Sequence, residues 1–146
     1  MADNLDHLLV RRFVQAPREA VPVDTSPVAL DLSMRLHAWD ADSGTLVLAF
    51  EPAARHLQGN GVVHGGTVAT MLDFGLAFAA LGWLEPPRSA ATLALNVQFE
   101  RPARPGPLQV TARIDRMGGR VAFASARLED ATGAVLARAM GTLALT

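Results

Sequence analysis

The chain of 146 residues contains no cysteine and no tyrosine, and all 13 of its Lys+Arg residues are arginine, so lysine is absent too. Without cysteine, the chain has no thiolate nucleophile, iron–sulfur cluster, thiolate zinc site or disulfide framework. Without lysine, it has no Schiff-base lysine, P-loop lysine or lysine general base. The groups that remain for acid–base, nucleophilic or ligand chemistry are those of Asp, Glu, His, Ser and Thr.

Charge is also scarce: 18% of the residues are charged and the net charge is -1, which predicts no binding to nucleic acid or anionic membranes. Hydrophobic residues make up 50% of the chain, enough for one domain with a sizeable core. The N-terminus has acids before its first arginine and no long apolar run, so we expect a cytoplasmic protein. The most apolar stretch, residues 61–84, includes Asp73 and several glycines and predicts a buried helix rather than a membrane span.

Sequence patterns divide the chain into an N-terminal segment, residues 1–28, and a main domain, residues 29–146. The segment begins with a predicted helix over residues 3–14, which Asp3 can cap. An extended linker follows, marked by Pro17, Pro22 and Pro27.

In the main domain, alternation of apolar and polar residues predicts six strands. They cover residues 30–37, 45–50, 93–100, 108–114, 121–129 and 134–145. A long apolar helix is predicted to begin near Gly65 to Thr67 and to end at about Leu81, stopped by Gly82 and a proline pair. One long helix with a mainly antiparallel sheet is an α+β arrangement.

Two of these elements have more apolar surface than a small domain can bury. The last strand is small or apolar on both faces, and the long helix is apolar almost all round. We therefore expect a homodimer or a larger homo-oligomer. The alternative is that the N-terminal helix covers these surfaces.

Asp73 is the only formally charged residue between Arg55 and Glu85. A carboxylate buried there without partners costs several kcal/mol, so it is paired, protonated or open to water. Its neighbours on the helix surface are mostly small, which leaves room for another backbone or a flat ligand. Asp73 is therefore either a structural residue bonded to a nearby hydroxyl or backbone group, or a general base or nucleophile.

A glycine-rich run, residues 59–66, leads directly into this helix. The N-terminus of a helix has free N–H groups and a positive dipole, which suit a carbonyl oxygen that becomes an oxyanion. Gln58 adds a side-chain amide just before the run. Glycine pairs before helices are also found in simple turns, so the run alone is a weak indication.

The stretch from Gln58 to Asp73, QGNGVVHGGTVATMLD, resembles the signature of hotdog-fold acyl-CoA thioesterases. It is most similar to the phenylacetate-degradation type and to 4-hydroxybenzoyl-CoA thioesterases that carry His-Gly-Gly and a helical acid. The segment TLALNVQFERPARPG, residues 92–106, resembles the strand and loop that follow. The resemblance covers roughly residue 30 to the C-terminus. It implies a long central helix wrapped by an antiparallel sheet, and hydrolysis of an acyl- or aroyl-CoA to the free acid and CoA.

The resemblance also implies residue roles. Asp73 is the catalytic carboxylate, as nucleophile or as general base, and the Gly65 N–H forms the oxyanion hole. Gln58 helps to polarise the thioester carbonyl, and Thr92 either orients water or is an ordinary strand threonine. Many phenylacetate-type members have asparagine where this chain has Gln58, whereas hydroxybenzoyl-type members often have glutamate at the Asp73 position. This mixture leaves both substrate classes open.

Further residues are implied to bind substrate. His64, Gly66 and Asn60 lie beside the oxyanion position, with His64 favoured as a hydrogen-bonding residue at the helix entry and Asn60 as a turn residue. Three arginines are either candidates for the CoA phosphates or solvated surface charges, the second being favoured for any single one: Arg101, Arg104 and Arg120. No histidine spacing indicates a metal, and CoA is part of the substrate, so no separate cofactor is expected.

The family builds each site across a dimer, with Asp73 of one subunit facing Gln58 and Gly65 of the other. The implied partner is thus a second copy, in a homodimer or homotetramer, with neither nucleic acid nor a membrane involved. Two alternatives stay open. One is a non-catalytic module that binds or senses acyl-CoA. The other is a dehydratase or hydratase on the same fold, although the Phe-Pro-Gly run of one such branch is absent.

Overall fold

Seven strands form one antiparallel sheet around a long helix in the computed structural model, which describes residues 4–146. The helices are α1 (Leu5–Gln15), α2 (Pro27–Asp31) and α3 (Gly65–Trp83), and a 3-10 turn covers Ala54–His56. The strands are β1 (Val21–Pro22), β2 (Arg35–Asp40), β3 (Thr45–Phe50), β4 (Ala90–Phe99), β5 (Leu108–Met117), β6 (Val121–Asp130) and β7 (Val135–Leu145). The spatial order is β1-β2-β3-β5-β6-β7-β4, so β1 and β4 are the two edges. The predicted α+β class is confirmed.

The core lies between α3 and the inner face of the sheet. On β6 most of this face is small, with Ala122, Ala124 and Ala126 all buried, so α3 can approach the sheet closely. Gly75 is needed at this contact, because a Cβ built on it would lie 2.5 Å from Cγ1 of Val110. Among the described residues, α3 alone has the length and apolar composition to cross a bilayer, but Met71, Leu76 and most of its other apolar side chains are buried in the sheet.

The C-terminal end of α3 is covered by α1. Val10 and Phe13 of α1 belong to the same buried core as α3, and the Arg11 guanidinium donates to the Gly82 carbonyl at 3.0 Å. Thus the alternative that the N-terminal helix covers the apolar helix holds for this end alone. Asn4 caps α1 by accepting from the His7 N–H, whereas the predicted cap, Asp3, lies outside the described residues.

Gly82 does not end α3, contrary to the prediction. The helix continues to Trp83, and the Leu84 N–H still donates to the Ala80 carbonyl at 3.2 Å. Gly82 lies inside the last turn, where a Cβ would come within 3.0 Å of the Trp39 ring. Its function there is close packing rather than helix termination.

The prediction for residues 27–34 is wrong. Pro27–Asp31 forms α2, and β2 begins only at Arg35. Ser26 caps this helix, because its hydroxyl accepts from the Ala29 N–H at 3.2 Å, and Pro27 occupies the first turn, where its missing N–H costs nothing. In the predicted extended linker, Val21 and Pro22 form β1, an extended segment that pairs with β2, whereas Pro27 belongs to α2. The other predicted strands each overlap an observed one.

The edge strand β4 has little cover. It pairs with β7 on one side, and most of its side chains are exposed, including Leu93 at 63% and Phe99 at 58%. The last strand, β7, lies between β6 and β4 and buries its inner face, while Met140 on the outer face is 70% exposed. The apolar surplus predicted from the sequence is therefore concentrated on β4 and the outer face of β7.

Candidate active site

A narrow hairpin leads into α3. Its two arms are joined by the His64 N–H, which donates to the His56 carbonyl at 2.8 Å, and by the Gln58 N–H, which donates to the Val62 carbonyl at 2.8 Å. Gly61 closes the turn with φ of +73°, a conformation that favours glycine. The hairpin therefore holds Gln58 and the start of α3 in one hydrogen-bonded unit.

In the first turn of α3, one of the two glycine N–H groups is bonded to the helix cap and the other is not. The Nδ1 atom of His64 accepts from the Gly66 N–H at 2.9 Å, which makes His64 the cap of the helix. Within residues 4–146, the Gly65 N–H has no acceptor. Of the two glycines, Gly65 is thus the one that can donate to a ligand, with the helix dipole behind it. Gly66 and His64 are already bonded to each other.

The Gln58 side chain is oriented by the backbone of the same turn. Its Oε1 accepts from the N–H of Asn60, so its NH₂ group is left as a donor. Asn60 itself is an exposed turn residue that contributes its main chain here. Gln58 and Gly65 consequently present two N–H donors from one hairpin.

An apolar cleft of about 320 Å³ opens beside Gly65. Phe99 forms one wall, and a Cβ built on Gly65 would lie 3.5 Å from its ring. Val62, Val68 and Leu136 supply aliphatic surface. Sequence reasoning missed Phe99 as a site residue, because strand alternation gives this phenylalanine the same pattern as any core residue.

Asp73 lies half-buried on α3 and contacts the opposite end of β4. The Thr92 hydroxyl donates to its Oδ1 at 2.7 Å, and within residues 4–146 Oδ2 has no hydrogen-bond partner. A shift in register between Thr92 and Ala94 marks an irregularity of β4 at this point. This arrangement fits both interpretations of Asp73, because one oxygen is anchored and the other can accept a proton or attack a carbon.

Within one protomer, the N–H donors at the start of α3 lie apart from the Asp73 carboxylate. Gly65 and Asp73 are eight residues apart on the same helix, which corresponds to about 12 Å along its axis. One protomer therefore carries two half-sites, one at the start of α3 and one near its middle.

The three candidate arginines lie near opposite ends of β4. Arg101 lines the cleft, and Arg104 follows Ala103, whose carbonyl accepts from the Val63 N–H at 2.8 Å. Arg120 lies at the other end of the sheet, where its carbonyl accepts from the Leu145 N–H at 2.8 Å. All three arginine side chains are exposed. In the part of the chain that the structure describes, no three His, Asp or Glu residues are grouped to hold a metal ion.

A long apolar helix wrapped by an antiparallel sheet, with a free N–H at its start and a carboxylate on its length, defines a hotdog-fold protein. The family model for the thioesterase superfamily matches residues 60–137. The chain belongs to this superfamily, and its general activity is thioester hydrolysis. The resemblance found in the sequence is confirmed, and so is the predicted hotdog fold.

Individual relatives agree with this assignment. A proposed esterase of Pseudomonas aeruginosa is 35% identical over 119 residues, covering 81% of this chain and 89% of the relative. A crystal structure of a proposed thioesterase from Ralstonia eutropha JMP134, a phenylacetic acid degradation-related protein, is 31% identical with a TM-score of 0.81, covering 92% of this chain and 98% of its own. The E. coli PaaI protein, from the phenylacetic acid degradation operon, shares the fold, with a TM-score of 0.76 at 18% identity over 99% of this chain and 96% of its own.

Proposed function

We propose that the protein hydrolyses an acyl- or aroyl-CoA to the free acid and CoA. The observation that carries this proposal is the pairing of an unbonded Gly65 N–H at the start of α3 with the half-free Asp73 carboxylate on the same helix. The first group stabilises an oxyanion, and the second supplies a nucleophile or a base. Because one protomer separates them, the complete site needs a second copy.

The free edge of the sheet supports pairing between two copies. Within residues 4–146, the outer side of β4 has no partner strand, and Leu93 and Phe99 expose apolar surface along it. An exposed edge strand readily pairs with another strand, and a copy of itself satisfies its N–H and C=O groups. We therefore infer a dimer in which the two β4 strands pair antiparallel.

The spacing on α3 is compatible with such a dimer. The residue midway between Gly65 and Asp73 is Ala69, which is small and partly exposed. A twofold axis that passes near Ala69 sets Gly65 of one protomer level with Asp73 of the other. Each of the two resulting sites then has one carboxylate and one free N–H.

The spacing on β4 is consistent with the same axis. Thr92 contacts the Asp73 half-site and Phe99 contacts the Gly65 half-site. The midpoint between these two strand positions falls between residues 95 and 96. Antiparallel pairing of β4 about this point brings Thr92 of one protomer opposite Phe99 of the other, so the helix and the strand give one consistent twofold arrangement.

In the proposed reaction, the thioester oxygen accepts from the Gly65 N–H and the Gln58 amide of one protomer. In one route, an Asp73 oxygen of the partner attacks the carbonyl carbon, the C–S bond breaks, and the CoA thiolate takes up a proton. Water then hydrolyses the mixed anhydride and restores the carboxylate. In the other route, Asp73 takes a proton from the water that attacks the carbon, and this proton passes to the departing sulfur.

The charges around the sites fit a CoA ester. In the proposed dimer, Arg101 and Arg104 of one protomer lie near Arg120 of the other, because antiparallel pairing brings the Phe99 end of one β4 strand to the Ala90 end of its partner. Guanidinium groups match phosphate oxygens in geometry and charge. The apolar cleft next to Phe99 then receives the acyl or aryl group, and the reaction uses no cofactor beyond the CoA of the substrate.

A thiol-release assay over short-chain, long-chain, phenylacetyl and hydroxybenzoyl CoA esters tests the proposal. Asp73→Asn should lower kcat by about 10²- to 10⁴-fold, the contribution of a general base. Asp115→Asn, which changes an exposed carboxylate outside the site, is the matched control. A fully active Asp73→Asn enzyme would refute the mechanism, and acyl-CoA binding without thiol release would favour a sensing module. Hydration of an enoyl-CoA in preference to hydrolysis would favour a hydratase.

A further inference from the structure

His56 lies at the base of the hairpin that carries Gln58 and leads to Gly65. Its side chain is 11% exposed and makes two hydrogen bonds. Nδ1 accepts from the Ala53 N–H at 2.9 Å, and Nε2 lies 2.5 Å from Oδ2 of Asp31. Because a backbone N–H can only donate, Nδ1 is unprotonated and Nε2 carries the proton donated to Asp31. The ring therefore has one defined tautomer and orientation.

Asp31 is itself held in place at the end of α2. The Arg55 Nε donates to its Oδ1 at 2.7 Å, which leaves Oδ2 for His56. Hydrogen bonds from Arg55 and then from His56 lower the pKa of the Asp31 carboxyl below its usual value. Asp31 is thus an ionised acceptor, and it ties the His56 ring to a helix outside the hairpin.

The backbone of His56 connects this bonded ring to the proposed oxyanion site. Its carbonyl accepts from the His64 N–H at 2.8 Å, and His64 directly precedes Gly65. The next pair along the same hairpin joins Gln58 to Val62. A displacement of His56 therefore moves the Gly65 N–H and the Gln58 amide, the two proposed donors to the thioester carbonyl. The His56 ring itself does not line the cleft.

We propose that His56, oriented by Asp31, is a positioning residue that sets where the Gly65 N–H and the Gln58 amide meet the thioester carbonyl. This inference rests on the proposed function. Donors that stabilise an oxyanion must lie at the position where charge develops, and a displacement of about 1 Å can cost about 10²-fold in rate. Loss of the His56 ring should consequently lower kcat far more than it changes KM.

The test uses the 146-residue chain with His56→Ala, His56→Asn and the control His37→Ala, which removes a histidine from β2 away from the hairpin. His56→Asn keeps an oxygen near the Nδ1 position for Ala53 but cannot reach Asp31, so it remains informative if the alanine variant does not fold. We expect about a 10- to 100-fold loss of kcat for His56→Ala and about 10-fold for His56→Asn, with KM within about threefold. His37→Ala should match the unsubstituted protein.

Amide hydrogen exchange gives a second readout that needs no activity. The His64 amide should exchange faster in both His56 variants and at the original rate in His37→Ala, because the bond to the His56 carbonyl is loosened. Unchanged kcat together with unchanged exchange at His64 would overturn the inference, and so would a lowered Tm with kcat intact. Failure of the proposed function looks different, because the unsubstituted protein would then release no thiol from any CoA ester while exchange at His64 still responds to His56.

Discussion

The two half-sites are built in contrasting ways. At the start of α3, the chemistry belongs to a backbone N–H, and a ladder of backbone hydrogen bonds holds it in place. At Asp73, the chemistry belongs to one side chain, which a single hydroxyl from β4 holds. The first half-site should tolerate side-chain changes that keep the N–H, whereas the second should depend on individual side-chain atoms.

At the first half-site, the largest effect is expected for Gly65→Pro, which removes the N–H and adds the proline ring. Proline suits the first position of a helix, and His64 already has φ of -58° and ψ of 139°, which the residue before proline prefers. We expect an intact fold and a kcat lowered by about 10²- to 10³-fold, the cost of one oxyanion donor. Thiol-release kinetics and circular dichroism measure the two parts of this prediction.

Gly65→Ala is the matched control, because it keeps the N–H. The new Cβ would meet the Phe99 ring at 3.5 Å, which is ordinary van der Waals contact. Activity should remain within about threefold, because the N–H donor is kept and a contact that is equal in the ground state and the transition state does not change kcat. Equal losses in the alanine and proline variants would show that side-chain bulk, rather than the N–H, determines activity at this position.

Mixing two inactive chains tests whether the half-sites combine across protomers. Co-expressed Asp73→Asn and Gly65→Pro chains form some mixed dimers, in which one site has both native groups. With random pairing, about a quarter of the original activity should return, because half of the dimers are mixed and each has one intact site. Each variant expressed alone is the control.

No recovery in mixed dimers that are isolated and verified by two affinity tags would contradict the shared site. It would mean that Gly65 and Asp73 act within one chain or not together. Size-exclusion chromatography of the unsubstituted protein should agree with the outcome by showing at least a dimer.

The smallest effect is expected for Thr92→Val, which removes the hydroxyl from Asp73 and keeps the side-chain shape. A hydrogen bond to a charged group contributes about 1.5–3 kcal/mol, and this bond is exposed, so the low end of the range applies and kcat should fall by about 10-fold. Thr92→Ser retains the hydroxyl and should recover most of the loss. Thr142→Val, on β7 at the outer face of the sheet, controls for loss of a strand hydroxyl. Full activity of Thr92→Val would make Thr92 an ordinary strand residue.

Local patterns are sufficient for much of the fold, and one failure explains their limit. The alternation in residues 30–37 predicts a strand, but Ser26 and Pro27 start a helix there. Ala29 and Leu32, spaced three residues apart, are both buried, as a helical turn requires. The two patterns share Leu32 but differ at Leu30, which the predicted strand would bury and which is 57% exposed in the structure, so capping chemistry decides the structure at this point.

The candidate site likewise contains residues that the local sequence indicates and residues that only tertiary contacts reveal. Asp73 and the glycine run are unusual in their local sequence, so the pattern of residues alone indicates them as candidates. It does not indicate Phe99 or His56, because the significance of these two residues arises from contacts with Gly65 and Asp31 that local periodicity does not describe.

By itself, the sequence determined the long apolar helix, the carboxylate on it and the glycine-rich entry, because helical periodicity, a lone charge and flexible glycines are local properties. The tertiary structure decided which atoms are free. His64 binds the Gly66 N–H and leaves that of Gly65, and Thr92 binds one oxygen of Asp73 and leaves the other. It also left β4 as an uncovered edge. Hydrogen bonds and strand order depend on long-range packing, and this is the physical reason that local sequence does not specify them.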